Sequence, residues 1–210
     1  MAAHPLRRLA SLAVLGGAVM VIGCGDSERT GAGHSMAATS AANPADTTGA
    51  AARCSGKPTP AQTEGPYFKA GSPPRASLLQ PGMGGTRLVL TGRVLTSGCR
   101  TLGGVRLDFW QANASGVYDN SGYRLRGHQS TDARGRFTLT TIVPGEYAGR
   151  TEHIHVKVTP PGGRTYTSQI FFPGVAQNQS DSIYSSAMLI KLDASKSPAQ
   201  GTFTFVVDLP

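Results

Sequence analysis

Between residues 87 and 209 the chain repeats one device: a short run rich in β-branched and aromatic residues, closed by glycine, proline, asparagine or aspartate. The runs are RLVLTGRVL (87–95), VRLDFWQAN (105–113), RFTLTTIV (136–143), HIHVKV (153–158), TYTSQIFF (165–172), AMLIKLD (187–193) and FTFVVDL (203–209). Turn-forming stretches such as TSGCRTLGG, DARG, VPGEY and TPPGG lie between them. Runs this short, bounded this way, are strands. No apolar stripe of helical period and useful length competes with them, and no repeat at solenoid spacing appears. Strands that must bury one face each can do so against a second sheet, so the pattern predicts an all-β sandwich or barrel.

The residues ahead of this region read differently. HPLRRLASLAVLGGAVMVIGC has an export signal's form, with Arg7 and Arg8 before an apolar run from Ala10 to Gly23. That run is shorter than the roughly 20 residues a membrane span needs. It ends in Val21-Ile22-Gly23-Cys24, the form of a bacterial lipobox. Residues 1–24 are therefore expected to be a lipoprotein signal peptide, with Cys24 acylated and the chain exported and lipid-anchored in a bacterial cell envelope. The alternative is an ordinary signal with a chance cysteine. Sec and twin-arginine export are both open, although the residues after Arg7-Arg8 fit the latter poorly. Residues 25–52 contain almost no large apolar side chain, cannot offset their chain entropy by burial, and are expected to be a flexible linker. Residues 53–210 remain as one domain.

Of three cysteines, acylation of Cys24 leaves Cys54 and Cys99, an even pair that an oxidising compartment would join; two free thiols are the alternative. The chain carries 20 Lys and Arg against 12 Asp and Glu, net +8. Such a surface favours anionic ligands or membrane surfaces. The cations are scattered and no helix-turn-helix or RNA-binding signature accompanies them, which argues against nucleic acid.

Two of only five histidines sit in TEHIHVKV, residues 151–158. Alternation along a strand puts His153, His155 and Lys157 on one face and Ile154, Val156 and Val158 on the other. Two imidazoles so spaced could grip one metal ion, or could simply be polar residues on a wet face. Two tyrosines stand in loops at strand ends, Tyr118 after WQANASGV and Tyr147 after TIVPGE. Glu152 points away from the histidines if the strand is regular.

Five segments, in order from residue 63 to residue 172, are similar to those of one family: TEGPYF (63–68), WQANASGVY (110–118), TDARGRFTLTTIVPGEY (131–147), RTEHIHVKV (150–158) and SQIFF (168–172). The chain resembles the intradiol ring-cleavage dioxygenases, of the protocatechuate 3,4-dioxygenase and catechol 1,2-dioxygenase type. The resemblance implies a two-sheet β-sandwich holding Fe(3+) through Tyr118, Tyr147, His153 and His155. It implies cleavage of a catechol-type diol by O2 to a cis,cis-muconate-type diacid. Tyr147 would leave the metal and act as a base, Arg150 would stabilise negative charge growing on the ring, and Gln169 would lie close to the substrate. The chemistry is self-consistent: only a hard, highly charged cation displaces the proton of a phenol whose pKa is about 10. Zinc would sooner take Cys, His or carboxylate ligands.

The chain departs from the family in three places. Only AGRTE separates Tyr147 from His153, where better-known members carry a longer insert that shapes the pocket. The proline of their R-P-x-H is absent. There is no room before TEGPYF for the helical dimerisation segment of catechol 1,2-dioxygenases, so the closer likeness is to protocatechuate-type subunits and exported single-chain relatives. The competing readings are a non-catalytic, transthyretin-like binding module and an exported metal-binding protein.

Overall fold

The computed structural model describes residues 54–147 and 149–209. The expected signal peptide, Cys24 and linker lie outside them. Eight strands form among the described residues: β1 (Arg87–Thr96), β2 (Arg106–Trp110), β3 (Arg126–Ser130), β4 (Arg136–Ile142), β5 (His153–Thr159), β6 (Tyr166–Phe171), β7 (Lys191–Asp193) and β8 (Ala199–Val207). They make two four-stranded sheets, ordered β4-β1-β8-β7 and β3-β2-β5-β6. Every strand pairing is antiparallel except that of β1 with β8, which run parallel from Leu88↔Ala199 to Thr96↔Val207. The all-β, two-sheet sandwich expected from the sequence is the architecture found.

The inner faces supply the core. Leu88, Leu90 and Val94 of β1, Leu139 of β4 and Phe205 of β8 meet Leu107 and Phe109 of β2, Ile154, Val156 and Val158 of β5, and Ile170 of β6, all fully buried. Burying each such side chain contributes roughly 1.5–3 kcal/mol. The Phe137 ring lies 5.9 Å from that of Phe109 and 5.8 Å from that of Phe205, so one aromatic column links the sheets.

Three elements differ from the sequence reading. β3 has the sequence RGHQS and carries no apolar alternation; it forms because it is an edge strand whose outer side is covered. Gly127 makes room for that cover, since a Cβ there would fall 2.8 Å from both Leu78 Cδ2 and Arg75 Cγ. The run expected as a strand over 187–193 forms a strand only at Lys191–Asp193, with Leu189 making one isolated bridge to Phe171, because Ser186–Met188 closes a 3-10 turn that buries Met188. β8 begins four residues earlier than expected, at Ala199; Gly201 is tolerated within it because Leu88, Leu90 and Ile190 already crowd its face.

The cover over the β3-β2-β5-β6 sheet is the segment 60–78, an extended strap. Gln62 N–H donates to Thr167 O of β6 at 2.8 Å, and Lys157 on β5 pairs with Glu64 at 2.5 Å. Phe68 sets its ring edge against Trp110 of β2, and Ser72 Oγ donates to Asp108 at 2.8 Å. Arg75 N–H then donates to His128 O on β3, and Leu78 N–H to Thr140 O on β4. The strap therefore crosses one sheet and ends on the edge of the other. It makes β5, which would otherwise have one wet face, buried on both.

Cys54 and Cys99 are joined, 45 residues apart in sequence. The bond ties the chain just ahead of the strap to the turn after β1. A crosslink of that span typically contributes about 2–5 kcal/mol. Reduction, or Cys99→Ser, should lower the thermal midpoint markedly while leaving the far-UV β signature of the remaining folded fraction intact. Unchanged melting of the reduced protein would show that the strap is held by its other contacts alone.

Candidate metal centre

The strap's path creates a dry patch at the end of β5. His153 is 2 % and His155 1 % exposed, both turned to the outer face beneath the strap as the alternation requires. His153 Nδ1 lies 2.6 Å from Thr151 O, so it carries the proton and donates it there. That fixes the tautomer and turns a lone pair on Nε2 toward His155, whose own Nε2 is 3.0 Å away. His155 is braced by Trp110, stacked on it at 4.7 Å with 3° between the planes, and its Nδ1 has no partner.

Tyr118 and Tyr147 arrive on two loops that lock together. Asn113 Oδ1 accepts from Ser115 N–H and Val117 N–H, each at 2.9 Å, while its carbonyl accepts from Gly116 N–H and from Gly145 N–H in the other loop. Contact this close needs glycine. A Cβ on Gly116, which has φ +75°, would fall 2.0 Å from Glu146 O, and one on Gly145 would fall 2.5 Å from Ala114 O. The glycines of A-S-G-V-Y and P-G-E-Y are thus what sets the two phenol rings 5.2 Å apart at 86°. Tyr118 Oη lies 3.5 Å from His153 Nε2, and the Tyr147 ring is 5.7 Å from the His153 ring.

Two residues that sequence reasoning did not single out hold this arrangement. Arg126 of β3 is buried, donating through Nε and Nη2 to Asp119 O at 3.2 and 3.0 Å and through Nη1 to Tyr67 O at 2.6 Å. It fastens the strap to the Tyr118 loop, and the Tyr67 and Tyr118 rings stack at 4.4 Å. Asp181, in the loop after β6, accepts from Arg150 Nε at 2.9 Å and from Thr151 N–H at 3.0 Å. Arg150 Nη2 also donates to Gln169 Oε1 at 2.6 Å, and Gln169 Nε2 donates to Thr63 O at 3.0 Å. Tyr67 belongs to the TEGPYF segment. Arg126 and Asp181 fall in stretches with no pattern to mark them.

Burial governs the electrostatics. It pushes the Tyr118 phenol well above its usual value, with Tyr147 adding to the effect. Tyr147 is raised by burial too, against the nearby Arg150 cation. Burial pushes His153 down to about 4 and His155 well below the ordinary histidine value, with His153 adding to the latter. Glu152 is raised by burial and by Glu146.

The donor set is therefore two neutral imidazoles and two phenols. Among the described residues, no cluster of three or more His, Cys, Asp or Glu stands ready for a metal. Nitrogens 3.0 Å apart are spaced as neighbouring ligands of a single ion with bonds of about 2.1 Å. Phenols forced to stay protonated by burial would yield only to a strong, hard cation. The residues fit a ferric ion.

The Dioxygenase family profile matches residues 63–208. The chain belongs to the intradiol dioxygenase family. It is 36 % identical over 109 residues to the protocatechuate 3,4-dioxygenase beta chain of Burkholderia cepacia, covering 43 % of this chain and 46 % of that one. It is 32 % identical over 142 residues to catechol 1,2-dioxygenase 2 of Acinetobacter lwoffii, covering 55 % and 52 %. The chain thus spans about half the length of the curated relatives it matches. Among solved structures, this family member superposes with a TM-score of 0.71 at 49 % identity on the dioxygenase domain of a dioxygenase–carbohydrate-binding protein fusion from Streptomyces sp. SirexAA-E, covering 73 % of this chain and all of that one. It superposes at 0.68 and 27 % on 3-chlorocatechol 1,2-dioxygenase of Rhodococcus opacus 1CP, covering 76 % of each chain. The fold and the family reading of the five segments agree, and none of these relatives is a non-catalytic module.

Depressed histidine pKa values have a thermodynamic consequence. Between pH 6.5, the unfolded value, and about 4, the unfolded state binds protons that His153 in the folded state refuses. That stability is present above pH 6.5 and lost as the pH falls toward 4. The metal-free protein's thermal midpoint should therefore decline through this window, above the range where carboxylates protonate. A flat midpoint from pH 6.5 to 4.5 would show the imidazoles to be solvated.

Proposed function

We propose that the protein is a ferric intradiol dioxygenase that cleaves catechol-type aromatic diols with O2 to cis,cis-muconate-type diacids. The observation that carries this reading is the convergence of Tyr118, Tyr147, His153 and His155, without a carboxylate, beside Arg150. The relatives named above as acting on protocatechuate, catechol and chlorocatechol support the substrate class. A ferric ion held by these four residues would draw charge from a bound catecholate and make the ring reactive toward dioxygen.

The chain's own groups divide the remaining work. His153 and His155 stay neutral and offer nitrogen lone pairs. Tyr118, stacked and buried, would be the permanent phenolate donor once the ion displaces its proton. Tyr147 is half-buried on a loop tip; with its proton displaced by the ion, its phenolate would be the group to take a proton from the incoming diol. Arg150 supplies a cation where charge grows on the ring as it ketonises. Gln169 has both ends of its amide occupied, by Arg150 and by Thr63 O, so its part is to aim the guanidinium. The strap excludes water from the imidazoles. Export and lipid anchoring through residues 1–24 would place this activity in the cell envelope, where environmental aromatics arrive.

Tyr118→Phe and His155→Ala should each remove most bound iron, along with the tyrosinate-to-ferric colour expected of the parent. Full iron occupancy in both, by elemental analysis, would overturn the ligand assignment.

Arg150→Ala should keep its iron and its diol-induced spectral shift, yet lose on the order of 10²–10³ in both kcat and kcat/KM. Arg150→Lys should recover only part, because an ammonium lacks the planar fork that meets Asp181 and Gln169 together. Turnover of the alanine variant within about threefold of the parent, far short of that loss, would remove Arg150 from the machinery.

A further inference from the structure

We propose that Asp181 is a positioning residue: it holds the Arg150 guanidinium toward the metal centre, so the loop after β6 sets the reactivity of the site through Arg150. The kinetic part of this inference rests on the dioxygenase reading above.

A guanidinium on a long stem has many rotamers, and its charge is useful only at one of them. Here it is fixed on two edges. Nε donates to Asp181 Oδ2 at 2.9 Å and Nη2 donates to Gln169 Oε1 at 2.6 Å. Because the fork is planar, two acceptors on adjacent edges fix the remaining edge as well. The Asp181 side chain is fully buried, and Arg150's is 18 % exposed. Burial works against the Asp181 charge, but hydrogen bonds from Arg150, Ile183 N–H and Thr151 N–H hold its carboxyl below the usual range. It therefore stays an anion. The Arg150 cation in turn acts on Tyr118, Tyr147, His153 and His155.

Asp181 does not dock its loop alone. Asn178 also anchors it, with Oδ1 2.6 Å from Thr151 Oγ1 and Nδ2 donating to Phe172 O at 2.9 Å. Gln177 O closes the turn by accepting from Ser180 N–H and Asp181 N–H. Gln177 Nε2 further donates to Gly149 O at 2.8 Å. Arg150 Nε–H and Thr151 N–H share Asp181 Oδ2, and Ile183 N–H takes Oδ1. Asp181→Asn should keep the loop in place with its amide oxygen at the Oδ2 position; the change removes the charge, turns the strong Nε bond into a weaker neutral one and leaves the amide NH2 facing Ile183 N–H.

The test compares four full-length, iron-loaded proteins: parent, Asp181→Asn, Arg150→Ala and the double variant, with catechol as probe. Asp181→Asn should retain its iron and its KM while losing about 10–100-fold in kcat. The same change should cost little more in the Arg150→Ala background, since two residues acting through one group do not add. A second readout uses the metal-free proteins. The Arg150 Nε–H proton should be slow to exchange and distinctly shifted in the parent's NMR spectrum, and should exchange faster and lose much of that shift in Asp181→Asn. A kcat loss below about threefold, far short of that range, would overturn the proposal. So would an undiminished further loss in the double variant. If the parent turns over no diol, the dioxygenase reading fails, and the Nε–H signal alone decides. An unchanged shift and exchange rate in Asp181→Asn would show that Asp181 does not hold Arg150.

Discussion

Two buried imidazoles whose Nε2 atoms face each other at 3.0 Å cannot both be satisfied by protons. Thr151 O takes the Nδ1 proton of His153, which leaves a lone pair on Nε2. If His155 carries its proton on Nε2, its Nδ1 lone pair is unpartnered; if on Nδ1, two lone pairs face each other and a buried N–H goes unmet. An unmet buried polar group costs about 1–3 kcal/mol. Protonation offers no escape, because burial pushes both rings far below their ordinary pKa. A cation accepting both lone pairs removes the conflict. The pair is therefore stable in this form only because the rest of the fold over-determines it, and most of the surroundings can be read as the means of doing so.

Those means come from parts of the chain distant in sequence. The strap dries the outer face of β5 and stacks Tyr67 on Tyr118. Trp110, one strand over, is stacked on His155 and prevents that ring from turning. Arg126 joins the strap to the Tyr118 loop through two carbonyls, a use of a buried cation that is tolerable because all three nitrogens are engaged. The sandwich core does none of this directly. It supplies a rigid sheet against which ring positions can be held.

The strands were legible because they leave local patterns; the donor residues needed, beyond those patterns, the resemblance of five ordered segments to one family. Period-2 alternation in HIHVKV announced which face each histidine would take, and glycines beside Tyr118 and Tyr147 marked turns. The strap was invisible to such reading. Residues 60–78 have no period, and their burial depends on hydrogen bonds to Thr167, His128 and Thr140, made across more than 50 residues. β3 escaped notice for a related cause, since RGHQS is ordered by its neighbours rather than by its own apolar face. Asp181 lies beyond the last recognisable segment. Its value comes only from Arg150 being folded against it.

The short connection from Tyr147 to His153 gains meaning from that contact. With five residues there is no slack for a separate wall to the site. Tyr147 and Arg150 instead exchange backbone hydrogen bonds, Arg150 N–H to Tyr147 O at 2.7 Å and Tyr147 N–H to Arg150 O at 3.3 Å. A phenol donor and the cation that tempers it are thus one rigid unit. A lone cation there would oppose any metal bound to the same four donors. Pairing it with buried Asp181 converts it to a dipole, and the long-range repulsion of the ion is largely cancelled. On this geometry the loop after β6 does electrostatically what a longer insert could do sterically. The family's pocket can lose a wall without losing the orientation of its charge.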